Sequence, residues 1–115
     1  MPEFLDLHVP GHRSLIRVRM AARRGLRALV QFTAPELRGR SGLWIPACRS
    51  IHTFGTRRAV DVVFLRADGV IAKVVPGMKP WRMTRCTEAC TALKLRAGLA
   101  RHYGLCPGVA LDLLA

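Results

Sequence analysis

A chain of 115 residues, half of them hydrophobic and 23% charged, has the composition of one globular domain with a real hydrophobic core and excludes a disordered or low-complexity chain. Its 19 basic residues outnumber 7 acidic ones for a net charge of +12, which favours anionic partners; arginines cluster from Arg13 to Arg27, but the lack of a block of five or six like charges and the few aromatics disfavour a dedicated nucleic-acid surface. No apolar run approaches the roughly 20 residues that span a bilayer, and the start MPEFLDLHVPGHRS lacks a basic-then-apolar signal pattern, so a cytoplasmic location is the default expectation.

Residues 1–12, with Pro2, Pro10 and Gly11, carry little periodicity and are expected to form a loosely held arm; residues 13–115 are expected to be a single β-rich domain. Apolar and basic residues alternate from Ile16 to Arg19, which suits a strand with one wet face. Over residues 21–32, Leu26, Leu29 and Val30 fall at helical spacing, predicting an amphipathic helix that ends before Pro35. Leu43, Trp44 and Ile45 form a short apolar strand stopped by Pro46, and residues 50–54 offer another.

Residues 61–65 are apolar on both faces after Asp61, which predicts a central strand. Asp68-Gly69 is the clearest hairpin signal, because glycine takes the positive φ of a tight turn; residues 70–75 should return antiparallel and end at Pro76-Gly77. In residues 89–95 the side chains of Ala89, Thr91, Leu93 and Leu95 share one strand face. Residues 97–103 make a short helix capped by Gly104, and Pro107-Gly108 turns the chain into a last strand over residues 109–113. Six or seven short strands with two helices predict a mainly β, antiparallel sandwich or barrel.

With these elements placed, a resemblance emerges. The run from Cys48 through Arg49, Ser50, Ile51, His52 and Thr53 to Phe54, then Val60-Asp61-Val62-Val63-Phe64-Leu65 and Asp68-Gly69, is similar to the bacterial family called domain of unknown function 192. Pro80-Trp81-Arg82-Met83, Cys86, Ala97-Gly98, Gly104-Leu105 and Pro107-Gly108 resemble it as well, as does Arg24-Gly25-Leu26 upstream. The resemblance implies a small, mainly β, sandwich-like fold of unknown molecular activity, with a role linked to secretion or pilus assembly as one expectation. The chain departs from the family pattern at Gly55-Thr56, Ala59 and Arg66, which would open any pocket that the connection after Phe54 lines.

Several residues suggest chemistry, each with a plainer alternative. Cys48, His52, Cys86 and Cys90 are zinc-type donors in two x3 spacings, but four strand steps would separate Cys48 from His52 by roughly 13 Å, far beyond a shared ion. Cys48 and His52 could instead form a nucleophile–base pair oriented by Asp61, with a nearby arginine favouring the thiolate. The plainer reading makes the cysteines small buried hydrophobes and His52 a half-buried structural residue; a Cys48–Cys86 disulfide is a further alternative. There is no CxxC, GxSxG, HExxH or phosphate-cradling glycine loop, and no paired carboxylates suggest acid–base work. Asp61, following Arg57-Arg58, is expected in an ion pair or a backbone hydrogen bond, and Trp44 and Trp81 either wall a pocket or plug the core.

The reading that results is a non-enzymatic domain that binds a small ligand or a protein segment, with no cofactor and no metal. Its expected rim is Cys48, His52, Thr53, Arg57, Trp81 and Cys86, where loops converge on strand ends. The alternatives are a thiol- or zinc-dependent site centred on Cys48 and His52, and electrostatic nucleic-acid binding through the arginines from Arg13 to Arg27.

Overall fold

The structure is a computed structural model that describes residues 4–20, 41–53 and 58–114. Nine strands and one short helix lie among these residues: β1 (Phe4–His8), β2 (Ile16–Met20), β3 (Ser41–Pro46), β4 (Ser50–His52), β5 (Val60–Leu65), β6 (Ile71–Met78), β7 (Met83–Arg85), β8 (Thr91–Arg96), α1 (Leu99–His102) and β9 (Asp112–Leu114). The mainly β class expected from sequence is the class observed. The helix expected over residues 21–32 lies outside the described residues.

Seven strands form one sheet in the order β6-β5-β8-β3-β2-β1-β9, and β4 pairs with β7 in a separate two-stranded ribbon. Every pairing is antiparallel except β2 with β3. The sheet curls until its two ends meet: Val70, just before β6, bridges Ala110, just before β9. Among the described residues no helix is long and apolar enough to cross a membrane.

Strand β5 is buried along its whole length, as the unbroken apolar run predicts for a strand with neighbours on both sides. Its alternation feeds two cores. Val63 and Leu65 join Leu7, Ile16, Leu93 and Tyr103 on the face that α1 covers. Val60, Val62 and Phe64 join Leu43, Ile45 and Ile51 on the face that the β4–β7 ribbon covers. The β5–β6 turn is as the sequence suggests: Gly69 has φ 85°, its N–H donates to the Arg66 carbonyl, and Asp68 is salt-bridged to Arg66 at 2.6 Å.

Three expectations are corrected. Residues 4–8 are not a loose arm but strand β1, seated between β2 and β9 with Leu7 fully buried. Strand β6 does not end at Pro76-Gly77. It bulges there, since Val62 pairs with Val75 while Val60 pairs with Met78, and glycine supplies the φ of 57° that the bulge needs. The last strand begins three residues late because 109–111 first bond to the β5–β6 turn: the Ile71 N–H donates to the Val109 carbonyl and the Leu111 N–H to the Gly69 carbonyl.

Asp61 explains why the bulge and α1 sit where they do. It is the one carboxylate of β5, fully buried on the α1 side. Its Oδ1 accepts the Gly77 N–H at 2.8 Å, and its Oδ2 accepts the N–H groups of Gly98 and Ala100 at 3.0 and 2.9 Å. The side chain thus fixes the β6 bulge and satisfies donors at the start of α1 that the helix itself leaves open. The backbone hydrogen bond expected for Asp61 is what forms.

Candidate functional site

The ribbon is where the expected rim residues fall. Strands β4 and β7 pair Ser50 with Arg85, Ile51 with Thr84 and His52 with Met83. Ile51 points into the second core at 3% exposure, whereas Met83 is 67% exposed. Backbone bonds extend the pairing at both ends: the Cys86 N–H donates to the Arg49 carbonyl, and the Thr53 N–H donates to the Arg82 carbonyl at 2.9 Å.

Thr53 is a staple and not a rim residue. Fully buried, it donates its hydroxyl to the Lys79 carbonyl at 2.7 Å and accepts the Arg82 N–H at 2.9 Å, while its own carbonyl takes the Trp81 N–H at 3.0 Å. Those bonds hold the loop between β6 and β7 against the end of β4. They also hold Trp81 in the left-handed region, φ 63°, which is costly for a bulky side chain. Its indole is 66% exposed. The sequence left Trp44 and Trp81 with the same two options, and the structure separates them: Trp44 packs on the first core, and Trp81 is largely exposed.

Of the other expected rim residues, His52 lies at this end and the two cysteines lie apart from it. His52 is half-buried on β4, opposite Met83. Cys48 and Cys86 pack against the second core at the far end of the ribbon, where the Cys48 N–H donates to the Cys90 carbonyl at 3.3 Å. Arg57 lies outside the described residues. The rim therefore divides into a Trp81–Thr53–His52 end and a Cys48–Cys86 end.

Electrostatics do not favour a reactive thiol at Cys48. Burial pushes its pKa up, against the opposing pull of the Ser50 hydrogen bond and the Lys94 charge, and Sγ donates to the Ser50 carbonyl at 3.1 Å. A nucleophilic thiolate needs the reverse shift. Among the described residues no three His, Cys, Asp or Glu side chains gather at metal-binding spacing, so Cys48, His52, Cys86 and Cys90 do not converge on one ion. All four cysteines are free thiols. Between β1 and β2, the Arg17 guanidinium lies 5.1 Å from the Phe4 ring, a cation–π contact.

Sequence reasoning missed the feature beside Trp81. A groove of about 500 Å³ runs between β6 and β7, lined by Lys73, Val75, Pro76, Gly77, Met78, Lys79, Arg82, Met83 and Thr84. It holds three cationic side chains and no carboxylate. Lys73 Nζ spans it to donate to the Arg85 carbonyl at 3.0 Å. The available signal was the clustering of Lys79, Trp81, Arg82 and Met83 immediately after an apolar strand, which a residue-by-residue reading divides between turn and rim.

Lys94 was also missed. The sequence reading named only the Ala89, Thr91, Leu93 and Leu95 face of β8; Lys94 lies on the other face, 1% exposed, with its pKa pushed down to about 8, chiefly by burial.

No curated protein matches this chain. Two solved structures share its fold. A Novosphingobium aromaticivorans protein of unknown function is 16% identical, with 95% of this chain and 83% of that one covered at a TM-score of 0.77. A Sinorhizobium meliloti protein described as a "putative transcription regulator" is 19% identical, with 96% of this chain and 92% of that one covered at a TM-score of 0.78. The model of the family DUF192, an uncharacterized group, matches residues 7–113, from the middle of β1 into β9. That span takes in the whole ribbon, the stapled loop and the buried Asp61 as well as the motifs first noted in the sequence, and the chain belongs to the DUF192 family.

Proposed function

We propose that this domain is a non-enzymatic binding module and that its contact surface is the Trp81–Arg82–Met83 end of the ribbon with the adjoining groove. The observation that carries the reading is Trp81 itself, a large aromatic 66% exposed on a backbone at φ 63°. Hydrophobic burial does not account for a tryptophan placed there, and strain held by surrounding structure is typical of sites that contact a ligand. Tryptophan, arginine and methionine are also the side chains enriched at the centres of protein interfaces. A protein segment suits the place better than a small molecule, because the groove is open along its length and would not enclose a compact ligand.

A photoreactive side chain introduced at position 83, followed by irradiation in the cells that make the protein, tests the reading. It expects a covalent adduct to another protein that disappears when Trp81→Ser and Arg82→Ser are added. Adducts that persist unchanged in that variant would show that the surface around Trp81 is not the contact. The identity of the captured partner would also decide whether secretion or pilus assembly is the setting.

A further inference from the structure

We infer that the segment bound in this groove is acidic and extended, with carboxylates alternating with apolar side chains. The inference rests on the binding reading above and adds the chemistry of the partner. The groove has two kinds of wall. Val75, Met78 and Met83 give it apolar surface, and methionine is the side chain that adapts best to varied apolar partners. Lys73, Lys79 and Arg82 give it positive charge, and no carboxylate lies among its lining residues to neutralise them. Nearby acids are committed elsewhere: Asp61 is buried on its three backbone donors, and Asp68 is paired with Arg66.

The edge of β6 shows how such a segment would be read. An incoming strand would need free backbone groups along that edge. The Ile71 N–H and carbonyl are already bonded to Val109 and Gly108, Pro76 has no N–H, and the Gly77 N–H is taken by Asp61. Strand addition is therefore closed off at both ends of this edge, and selectivity falls to side chains. A chain that alternates acid and hydrophobe presents carboxylates to the lysines and Arg82 while setting apolar groups on the methionines and the exposed Trp81. A nucleic-acid strand fits less well, since one exposed indole offers a single stacking platform and the apolar wall has no use for phosphate.

The test uses the full chain with labelled methionine methyl groups and the two indole N–H signals, observed by NMR. Met20 and Trp44, outside the groove, serve as internal references. The probes are short synthetic peptides of alternating glutamate and leucine, of serine and leucine, and of lysine and leucine, with a single-stranded oligonucleotide as a fourth. The glutamate peptide is expected to shift Met78, Met83 and Trp81 with about tenfold higher affinity than the serine peptide, the gain that three exposed charge pairs provide. Lys79→Glu with Arg82→Glu should reverse the preference toward the lysine peptide. Equal affinity for the glutamate and serine peptides would overturn the acidic partner while leaving the binding surface standing. No shift at Met83 or Trp81 with any peptide, or tighter binding of the oligonucleotide at those signals, would overturn the inference itself.

Discussion

Replacing Asp61 with asparagine changes almost no volume, so its cost measures the carboxylate's hydrogen bonds and charge without a packing change. The carboxylate accepts three backbone N–H groups, one on Oδ1 and two on Oδ2. An asparagine that keeps its oxygen on Gly98 and Ala100 turns its amide N–H₂ toward the Gly77 N–H, donor against donor. One buried donor is then unsatisfied, at about 1–3 kcal/mol, and the remaining two bonds lose their charge assistance, at about 1 kcal/mol each. Relief from burying a charge offsets part of this, so a net loss of about 2–4 kcal/mol is expected. For a chain of 115 residues that lowers the melting temperature by about 8–16 °C. Thermal and urea unfolding followed by circular dichroism read the loss, with an unchanged urea slope showing that the same surface is exposed. A loss under about 0.5 kcal/mol would refute the claim that this carboxylate organises the β6 bulge and α1.

Three further outcomes are expected. Thr53→Val removes the hydroxyl bonded to the Lys79 carbonyl and the Arg82 N–H and should cost about 1–3 kcal/mol, whereas Thr53→Ser, which keeps both bonds, should recover most of it; equal losses would show that the methyl group and not the hydroxyl matters. Because burial holds the Lys94 pKa near 8 against an ordinary 10.5, the unfolded chain binds the proton that the folded chain has released between those values. Stability should therefore gain on the order of 1–3 kcal/mol from Lys94 as pH rises from about 8 to about 10.5, a gain lost again as pH falls, and the wild-type-minus-Lys94→Met difference in urea unfolding should show it; parallel curves would contradict the burial argument. Iodoacetamide should modify Cys48 at least about tenfold more slowly than the exposed Cys90 and Cys106, and mass spectrometry that finds Cys48 first would revive the thiol-enzyme alternative.

What could be read from the sequence was what is local. The β5–β6 hairpin needed only Asp68, Gly69 and two apolar runs, and α1 needed only a short helical pattern before Gly104. Strand β1 was overlooked although Leu5, Leu7 and Val9 alternate with Asp6 and His8, because Pro2, Pro10 and Gly11 on either side read as turn signals and the run between them is short. Asp61 was recognised as a hydrogen-bonding residue, but its partners at Gly77, Gly98 and Ala100 are set by topology and not by spacing. Lys94 went unremarked for the same reason: alternation shows that β8 has two faces, and only the arrival of β3, β5 and the ribbon shows that both are dry. At the candidate site, Trp81 and Thr53 were singled out together, but their roles depended on which end of the ribbon reached the β6–β7 loop. Thr53 became the buried support and Trp81 the exposed aromatic above it.

The most direct measurement is the unfolding free energy of Trp81→Gly against wild type. If Trp81 is kept for binding, removing an exposed indole and relaxing a backbone at φ 63° should leave stability within about 1 kcal/mol of wild type, or raise it. A loss of about 3 kcal/mol or more, the cost of truncating a packed aromatic, would make Trp81 a structural residue and contradict the account.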